Sequence, residues 1–227
     1  VDECAEAIVA IEDVPREHLP DPGGLGGWSD REVQIRLDAE RGWVAYIADV
    51  SGHGVALGVV MGMVKSAARM QLTSGGGSAT LLSRLNTVLH PLKKSEMFVT
   101  LAYLAGSEAG LEYSLAGHPP ILHYHAASRE ISELPCPNLP VAILEDSTFD
   151  TSKVECAPGD LFVLITDGLL EVENKAGEEF GMAGVKAALV QHAGRPLAEI
   201  CQAIVEAAAR YGKPADDQSL LLVKRLP

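Results

Sequence analysis

The sequence predicts an α+β fold whose strands pair mainly in antiparallel fashion. Between residues 97 and 165, strand-like apolar runs follow one another with only short turns between them, such as 106–110 and 126–129. Parallel neighbours would need a long crossover, usually a helix, so these strands are expected to form hairpins. Helical segments flank this region instead of alternating with its strands. A Rossmann-type sheet is therefore disfavoured.

Six apolar runs have the length of strands, and many are rich in Val, Ile or Tyr, which favour extended backbone. In chain order they are residues 43–50, 97–104, 111–115, 121–125, 161–166 and 219–223. Four other segments repeat apolar residues at helical spacing. They are residues 55–72, 79–92, 183–192 and 196–211. The last forms one clear apolar stripe, and Gly212 is expected to end it.

The chain is predicted to form a single domain over residues 1–227. It has no internal repeat, and its richest Gly/Ser runs, 20–27 and 74–78, are short enough to be loops. Because the first residue is Val rather than Met, we interpret the domain as excised from a longer regulatory protein.

The composition excludes several classes of protein. With 47% hydrophobic and 22% charged residues, the chain has the composition of a soluble globular protein. The net charge of −13 would repel nucleic acid and anionic lipid, so neither is an expected partner. No run approaches the length of a membrane span. The four cysteines lie far apart, which favours reduced thiols and a cytoplasmic location.

Acidic residues stand at the ends of three predicted strands. Asp49 ends the apolar run at 44–48, Asp167 follows the run at 161–166, and Asp216 and Asp217 precede the run at 219–223. Strand ends in one sheet lie ~5 Å apart, so these carboxylates can converge. Clustered carboxylates repel one another unless a cation neutralises them, and all-oxygen sites suit Mg²⁺ or Mn²⁺.

Each carboxylate also has an ordinary structural explanation. Asp167-Gly168 is a common turn signal after a strand. Asp49 could open a glycine-rich turn and cap the next helix, and Asp216 could cap a turn. The combination is what favours a functional site.

Four motifs, in this order and spacing, resemble a known family. They are Ala-Asp-Val-Ser-Gly-His-Gly at 48–54, Ala-Gly-His-Pro-Pro at 116–120, Thr-Asp-Gly at 166–168 with Glu171, and Asp-Asp-Gln-Ser at 216–219. They are similar to the stage-II-sporulation-E and stress-response branch of the bacterial PP2C-type (PPM) metal-dependent serine/threonine phosphatases. Asn86 and residues 97–100 match positions usual in that branch. The resemblance covers roughly residues 5 to 225.

The resemblance implies a four-layer αββα sandwich with two central antiparallel sheets and a centre of two Mn²⁺ or Mg²⁺ ions. Asp49 matches the bridging carboxylate, and Val50 matches the residue that lends its backbone carbonyl to one ion. Asp167 and Asp216 match ligands of the other ion. Two such ions activate water for in-line attack on a phosphoryl group, so no covalent nucleophile is needed.

The first family motif departs from the pattern. It is normally Gly-Gly-Asp-aromatic, but Gly26-Gly27 is followed here by Trp28. Asp30 lies 19 residues before Asp49, one residue further than the pattern implies. A loop absorbs such a shift easily, so Asp30 is taken as the catalytic and metal-binding equivalent. A second departure is Pro-Val-Ala-Ile at 140–143, which lacks a glycine usual in the family.

Other polar residues receive structural interpretations. Ser51 lacks the Gly-x-Ser-x-Gly context of a nucleophile elbow. His118 is expected to order a turn by hydrogen bonding. His123 and His125 alternate on a strand and could bind metal from one face, although surface positions are the simpler interpretation.

The leading hypothesis is a Mg/Mn-dependent protein-serine/threonine phosphatase. By resemblance, its substrate is a phosphorylated STAS-type anti-sigma-factor antagonist in partner-switching signalling. One alternative is a catalytically silent relative that serves as a scaffold, and another is a phosphatase for a small molecule. An upstream sensor or regulatory domain is expected to act on helices 55–72 and 79–92, which follow Asp49. The sequence leaves a homodimer open.

Overall fold

The computed structural model describes residues 5–12, 31–38, 42–52, 55–74, 77–92, 97–107, 110–135 and 137–226. Within them, the strands are β1 (Ala5–Glu12), β2 (Arg31–Asp38), β3 (Gly42–Val50), β4 (Val99–Ser107), β5 (Gly110–Ala116), β6 (Ile121–His125), β7 (Glu130–Leu134), β8 (Ser152–Val154), β9 (Leu161–Ile165) and β10 (Gln218–Arg225). The helices are α1 (Val55–Ser74), α2 (Ser78–Leu89), α3 (Asp167–Leu170), α4 (Gly181–His192) and α5 (Leu197–Tyr211). None of these helices is long and apolar enough to cross a membrane.

The chain forms two compact units that are discontinuous in sequence. Unit 1 comprises Val1–Leu25, Ile121–Leu134 and Cys156–Pro227, and unit 2 comprises Gly26–Pro120 and Pro135–Glu155. Each unit contains one five-stranded antiparallel sheet.

Unit 1 has the strand order β1-β10-β9-β6-β7. Every residue of β9 is buried, which explains its unbroken apolar sequence. The predicted stripe of α5 is buried as well and packs into the same apolar cluster, together with residues of α3 and α4. As predicted, α5 ends at Gly212, whose N–H donates to the carbonyl of Ala208 at 3.1 Å.

Unit 2 has the strand order β2-β3-β4-β5-β8. Its apolar cluster joins one face of β3 and β4 to α1 and α2. On α2, Leu81, Leu82, Leu85 and Leu89 are buried, as expected for an amphipathic helix packed on a sheet.

The α+β class with antiparallel sheets is confirmed. Both predicted hairpins are present: Ser107 pairs with Gly110 across the turn from β4 to β5, and His125 pairs with Glu130 across the turn from β6 to β7. Strands β1, β2, β7 and β8 and the short helix α3 were not predicted. The signal for β2 was available, because polar and apolar residues alternate strictly over 32–38.

Candidate metal centre

Asp167 begins α3, directly beyond the buried strand β9. The preceding residue, Thr166, is fully buried and ties this end of β9 to the start of β10. The Thr166 N–H donates to the carbonyl of Ser219 at 3.1 Å, and the Ser219 N–H donates to Thr166 Oγ1 at 3.0 Å. The sheet therefore continues past β9, which brings Asp167 beside the segment that carries Asp216 and Asp217.

The loop before β10 is held against the segment that follows α3. A Cβ on Gly212 would lie 1.9 Å from the carbonyl oxygen of Glu173, so only glycine fits at this close approach. The next residue, Lys213, donates its N–H to the same carbonyl at 3.3 Å. This contact fixes the start of the short loop that leads to Asp216.

Asp167 and Asp216 are both exposed, whereas Asp217 is buried. Asp167 Oδ1 accepts the N–H of Gly168 at 2.9 Å, and Asp216 Oδ1 accepts the N–H of Asp217 at 2.7 Å. These local bonds orient the two carboxylates while leaving both side chains accessible to solvent.

The negative charges around Glu171 interact strongly. Partial burial raises the pKa of Glu171, and the nearby carboxylates of Asp167, Glu179, Asp216 and Glu173 raise it further. Such repulsion indicates that a bound cation would stabilise the cluster. Because all the donors are oxygens, the cluster suits a hard ion such as Mg²⁺ or Mn²⁺.

In unit 2, Asp49 lies near the end of β3 and is partly buried. It faces Thr100 on β4 and Arg31 on β2. The next residue, Val50, ends the strand and is 2% exposed. Two neighbouring strands therefore hold the backbone of Asp49 in place.

Ser51 fastens the end of β3 to the segment before β4. Its N–H and its hydroxyl both donate to the carbonyl of Phe98, at 3.0 and 3.1 Å, and the Phe98 N–H donates to Ser51 Oγ at 2.8 Å. The hydroxyl thus has a structural role, as expected for a serine outside a nucleophile elbow.

Comparison with known proteins identifies the family. Residues 39–226 match the family described as stage II sporulation protein E (SpoIIE). The chain belongs to the SpoIIE family. The predicted resemblance to the sporulation and stress-response branch of the PP2C-type phosphatases is therefore confirmed.

Individual relatives agree with this assignment. The chain is similar to the phosphoserine phosphatase RsbU of Bacillus subtilis, with 28% identity over 133 residues, which cover 58% of this chain and 40% of RsbU. This chain therefore spans less than half the length of that relative.

Solved structures share the fold. The RsbU and RsbW domains of a Mycobacterium tuberculosis protein match with a TM-score of 0.81 and 22% identity, over 98% of this chain and 60% of that one. The catalytic domain of the serine/threonine phosphatase PstP, in complex with two manganese ions, matches with a TM-score of 0.70 and 14% identity, over 98% and 99% of the two chains. At these identities the likeness shows the fold alone.

The predicted site residues thus have different outcomes in this SpoIIE-family chain. Asp167 and Asp216 belong to one acidic cluster in unit 1, and Asp49 and Val50 end a strand of unit 2. Trp28 and Asp30 lie outside the described residues, so the role of Asp30 stays a prediction. The strand that follows it begins at Arg31, directly opposite Asp49.

The segment at 140–143, which lacks a glycine usual in the family, contains a residue with the backbone conformation that glycine favours. Ala142 adopts φ 71°, in the left-handed region that favours glycine. Its N–H donates to Oδ1 of Asn86 at 2.7 Å. The Asn86 Nδ2 group donates to the carbonyls of Leu144 and Glu145, at 3.0 and 2.8 Å. Asn86, which sequence reasoning singled out only by resemblance, therefore holds this loop against α2.

The structure agrees with the prediction for His118 and corrects the one for His123. His118 is buried, and its Nδ1 lies 3.1 Å from the carbonyl oxygen of Pro119, which fits the predicted turn. The surface interpretation is wrong for His123, which is 2% exposed and lies 3.0 Å from a carboxylate oxygen of Asp160. Alternation along β6 was visible in the sequence, but the buried partner Asp160 was not.

Proposed function

We propose that this chain hydrolyses phosphoserine or phosphothreonine in a protein substrate, using two Mn²⁺ or Mg²⁺ ions. The observation that carries the proposal is the accessible, mutually repelling carboxylate cluster around Asp167, Asp216 and Glu171 in a SpoIIE-family chain. Repulsion between carboxylates destabilises a cluster that holds no cation, whereas a bound cation would neutralise the charges.

The proposed metal ligands belong to motifs that are spread along the sequence. Asp49 would be the bridging carboxylate, the carbonyl of Val50 would hold one ion, and Asp167 and Asp216 would hold the other. Asp30 would hold metal-bound water or a further, weakly bound ion. The two ions would supply an activated water and neutralise charge on the phosphoryl oxygens.

The chain's own residues would position these ligands. The bonds between Ser51 and Phe98 hold the backbone just after Val50, so its carbonyl keeps a fixed direction. The bonds between Thr166 and Ser219 do the same for the backbone before Asp167. Rigid placement of this kind lowers the cost of assembling a reactive geometry.

The proposed substrate is a phosphorylated STAS-type anti-sigma-factor antagonist in a cytoplasmic partner-switching pathway. The naming of RsbU as a phosphoserine phosphatase supports this choice. An upstream sensor or regulatory domain would act through α1 and α2. In support, α1 carries exposed large apolar side chains at Val55, Val59 and Met70.

A catalytically silent scaffold is the second candidate, because Trp28 stands where the family has an aspartate. Turnover of a phosphorylated STAS protein by the wild type separates the two, and Asp30→Ala then tests the role of Asp30. If Asp30 completes the centre, Asp30→Ala lowers turnover of a phosphorylated STAS protein more than it lowers tight Mn²⁺ affinity. Equal turnover in wild type and Asp30→Ala, with both proteins folded, would remove Asp30 from the site.

The ligand assignment is tested by calorimetric Mn²⁺ titration of Asp49→Asn, Asp167→Asn and Asp216→Asn. Each amide is a poorer ligand of the same shape, so each variant is expected to bind Mn²⁺ more weakly and to keep its circular dichroism. Asp146→Asn, an exposed aspartate outside the motifs, is the matched control. Unchanged Mn²⁺ affinity in any one of the three variants would exclude that residue.

A further inference from the structure

A second group of metal-ligating side chains lies in unit 1, outside the phosphatase motifs. His123 and His125 alternate on β6 and therefore point to the same face of the sheet. Asp160 directly precedes β9, whose first residue pairs with Tyr124. One ligand atom from each of the three side chains lies within 4.8 Å of the other two.

The carboxylate of this group is rigidly held. Asp160 Oδ1 accepts the N–H of Ala126 at 2.8 Å, and Oδ2 accepts the N–H of Ala157 at 2.9 Å. The third contact to it is His123 Nε2, at 3.0 Å from Oδ2. Backbone donors on a ligating carboxylate are typical of the outer shell of metal sites, because they fix its direction.

The two imidazole rings are also oriented. His123 stacks on Phe162 with ring centroids 4.3 Å apart and lies 3.9 Å from the ring of His125. His125 Nε2 lies 2.9 Å from Ser132 Oγ, and the side chain is partly exposed. His125 therefore offers a path from solvent to the buried pair.

The side chains of His123 and Asp160 already face each other, with Nε2 3.0 Å from Oδ2. A neutral imidazole has the lone pair that a metal requires. An ion bound between these two atoms would interact with both groups.

We propose that His123, His125 and Asp160 form a binding site for a borderline divalent transition metal such as Zn²⁺. The ion takes the place of the hydrogen bond between His123 and Asp160: the ring proton moves from Nε2 to Nδ1, Nε2 ligates the ion, and no proton is lost to solvent. Two nitrogens and one oxygen match the ligand preference of Zn²⁺, and water completes the coordination. The all-oxygen cluster around Asp167 favours Mg²⁺ or Mn²⁺ instead.

The geometry needs only a local adjustment. With metal–ligand distances of about 2.1 Å, tetrahedral ligand atoms lie roughly 3.4 Å apart. The 3.0 Å separation of His123 and Asp160 is close to that value. All three ligand atoms lie within 4.8 Å of one another, so a small movement of the partly exposed His125 would complete the group.

The test is metal binding by the full chain, purified without a histidine tag and kept in excess Mg²⁺ so that hard-cation sites are filled. Co²⁺ is titrated as a spectroscopic substitute, and Zn²⁺ is then added in competition. We expect one Co²⁺ per chain with the visible absorption of a low-coordinate nitrogen and oxygen site. One equivalent of Zn²⁺ should remove that absorption.

His125→Gln decides the assignment, because this partly exposed side chain can change without emptying the core. It is expected to weaken Zn²⁺ binding by about tenfold or more. His192→Gln, a partly exposed histidine of the same unit, and Cys156→Ser, which removes a nearby thiol, should bind as the wild type does. Zn²⁺ should also raise the unfolding temperature of the wild type more than that of His125→Gln.

Two results would overturn the proposal. Equal Zn²⁺ affinity in wild type and folded His125→Gln would mean that the three side chains form only a hydrogen-bonded cluster. Loss of binding in Cys156→Ser with retention in His125→Gln would assign the metal to the thiol.

Discussion

Arg129 carries local backbone strain in the turn between β6 and β7. It adopts φ 60° on an exposed position, and its N–H donates to the carbonyl of His125 at 2.8 Å. The left-handed conformation costs a residue with a Cβ about 1–2 kcal/mol, partly offset by the greater chain entropy that glycine loses on folding. Arg129→Gly is therefore expected to raise the free energy of unfolding by about 0.5–1 kcal/mol, measured by urea denaturation.

Ala127→Gly is the control for that prediction. Ala127 is exposed in the same turn but is not among the residues with positive φ. Glycine there only adds freedom to the unfolded chain, so a loss of about 0.5–1 kcal/mol is expected. Destabilisation of equal size in both variants would show that Arg129 is not strained.

Asp160 should make stability depend on pH. Burial opposes its ionisation, but the N–H groups of Ala126 and Ala157 and the contact with His123 together lower its pKa below the ordinary value. An acid with a lowered pKa contributes stability that is present above its unfolded pKa and is lost as the pH falls through its folded pKa. Asp160→Asn is expected to cost about 2 kcal/mol at neutral pH, and this difference should shrink in acid.

Urea denaturation of wild type and Asp160→Asn between neutral pH and about pH 2 measures this effect. Asp146→Asn, in an exposed turn of unit 2, should show no such pH-dependent gap. A gap between wild type and Asp160→Asn that stays constant down to the lowest pH would contradict the lowered pKa.

The buried side chain of Asn86 ties helix α2 to the loop at 141–145. Asn86 is 2% exposed and makes three hydrogen bonds to that loop. Val141 in the same loop pairs with Val99 at the start of β4, next to the residue that bonds to Ser51. A change in α2 is therefore linked through backbone contacts to the strand end that carries Asp49.

Asn86→Ala is expected to lower the free energy of unfolding by about 2–4 kcal/mol, because it leaves buried backbone groups without partners. Thr87→Ala is the control, since the exposed Thr87 hydroxyl bonds only within its own helix, to the carbonyl of Ser83. That change should stay within about 0.5 kcal/mol. Similar losses in the two variants, measured by urea denaturation, would show that the loop does not depend on Asn86.

Elements with strong local patterns could be predicted from the sequence. The stripe of α5 and the apolar run of β9 bury what their periodicity indicated. Strand β8 has three residues, too few to show a period, and α3 has only four. Thr166, the residue before α3, is held by hydrogen bonds with Ser219, which is distant in sequence. Contacts of this kind depend on tertiary structure and leave little local signal.

The candidate site shows the same division. The order and spacing of the motifs that carry Asp49, Asp167 and Asp216 predicted the family, and the match over residues 39–226 confirms it. The burial of His123 and Asp160 could not be predicted, because their partnership arises from the pairing of β6 with β9. The close approach of Gly212 to Glu173 likewise joins two loop segments that are distant in sequence.

We propose that the chain hydrolyses phosphate esters in a metal-dependent reaction. This activity is tested by the initial rate of phosphate release from an aryl phosphate as Mn²⁺ is titrated into protein stripped with EDTA. We expect no release in EDTA and a saturable rise with Mn²⁺ in both wild type and Asp146→Asn. An undiminished rate in EDTA would contradict the two-metal mechanism, and Mn²⁺ binding without any release would identify a silent scaffold.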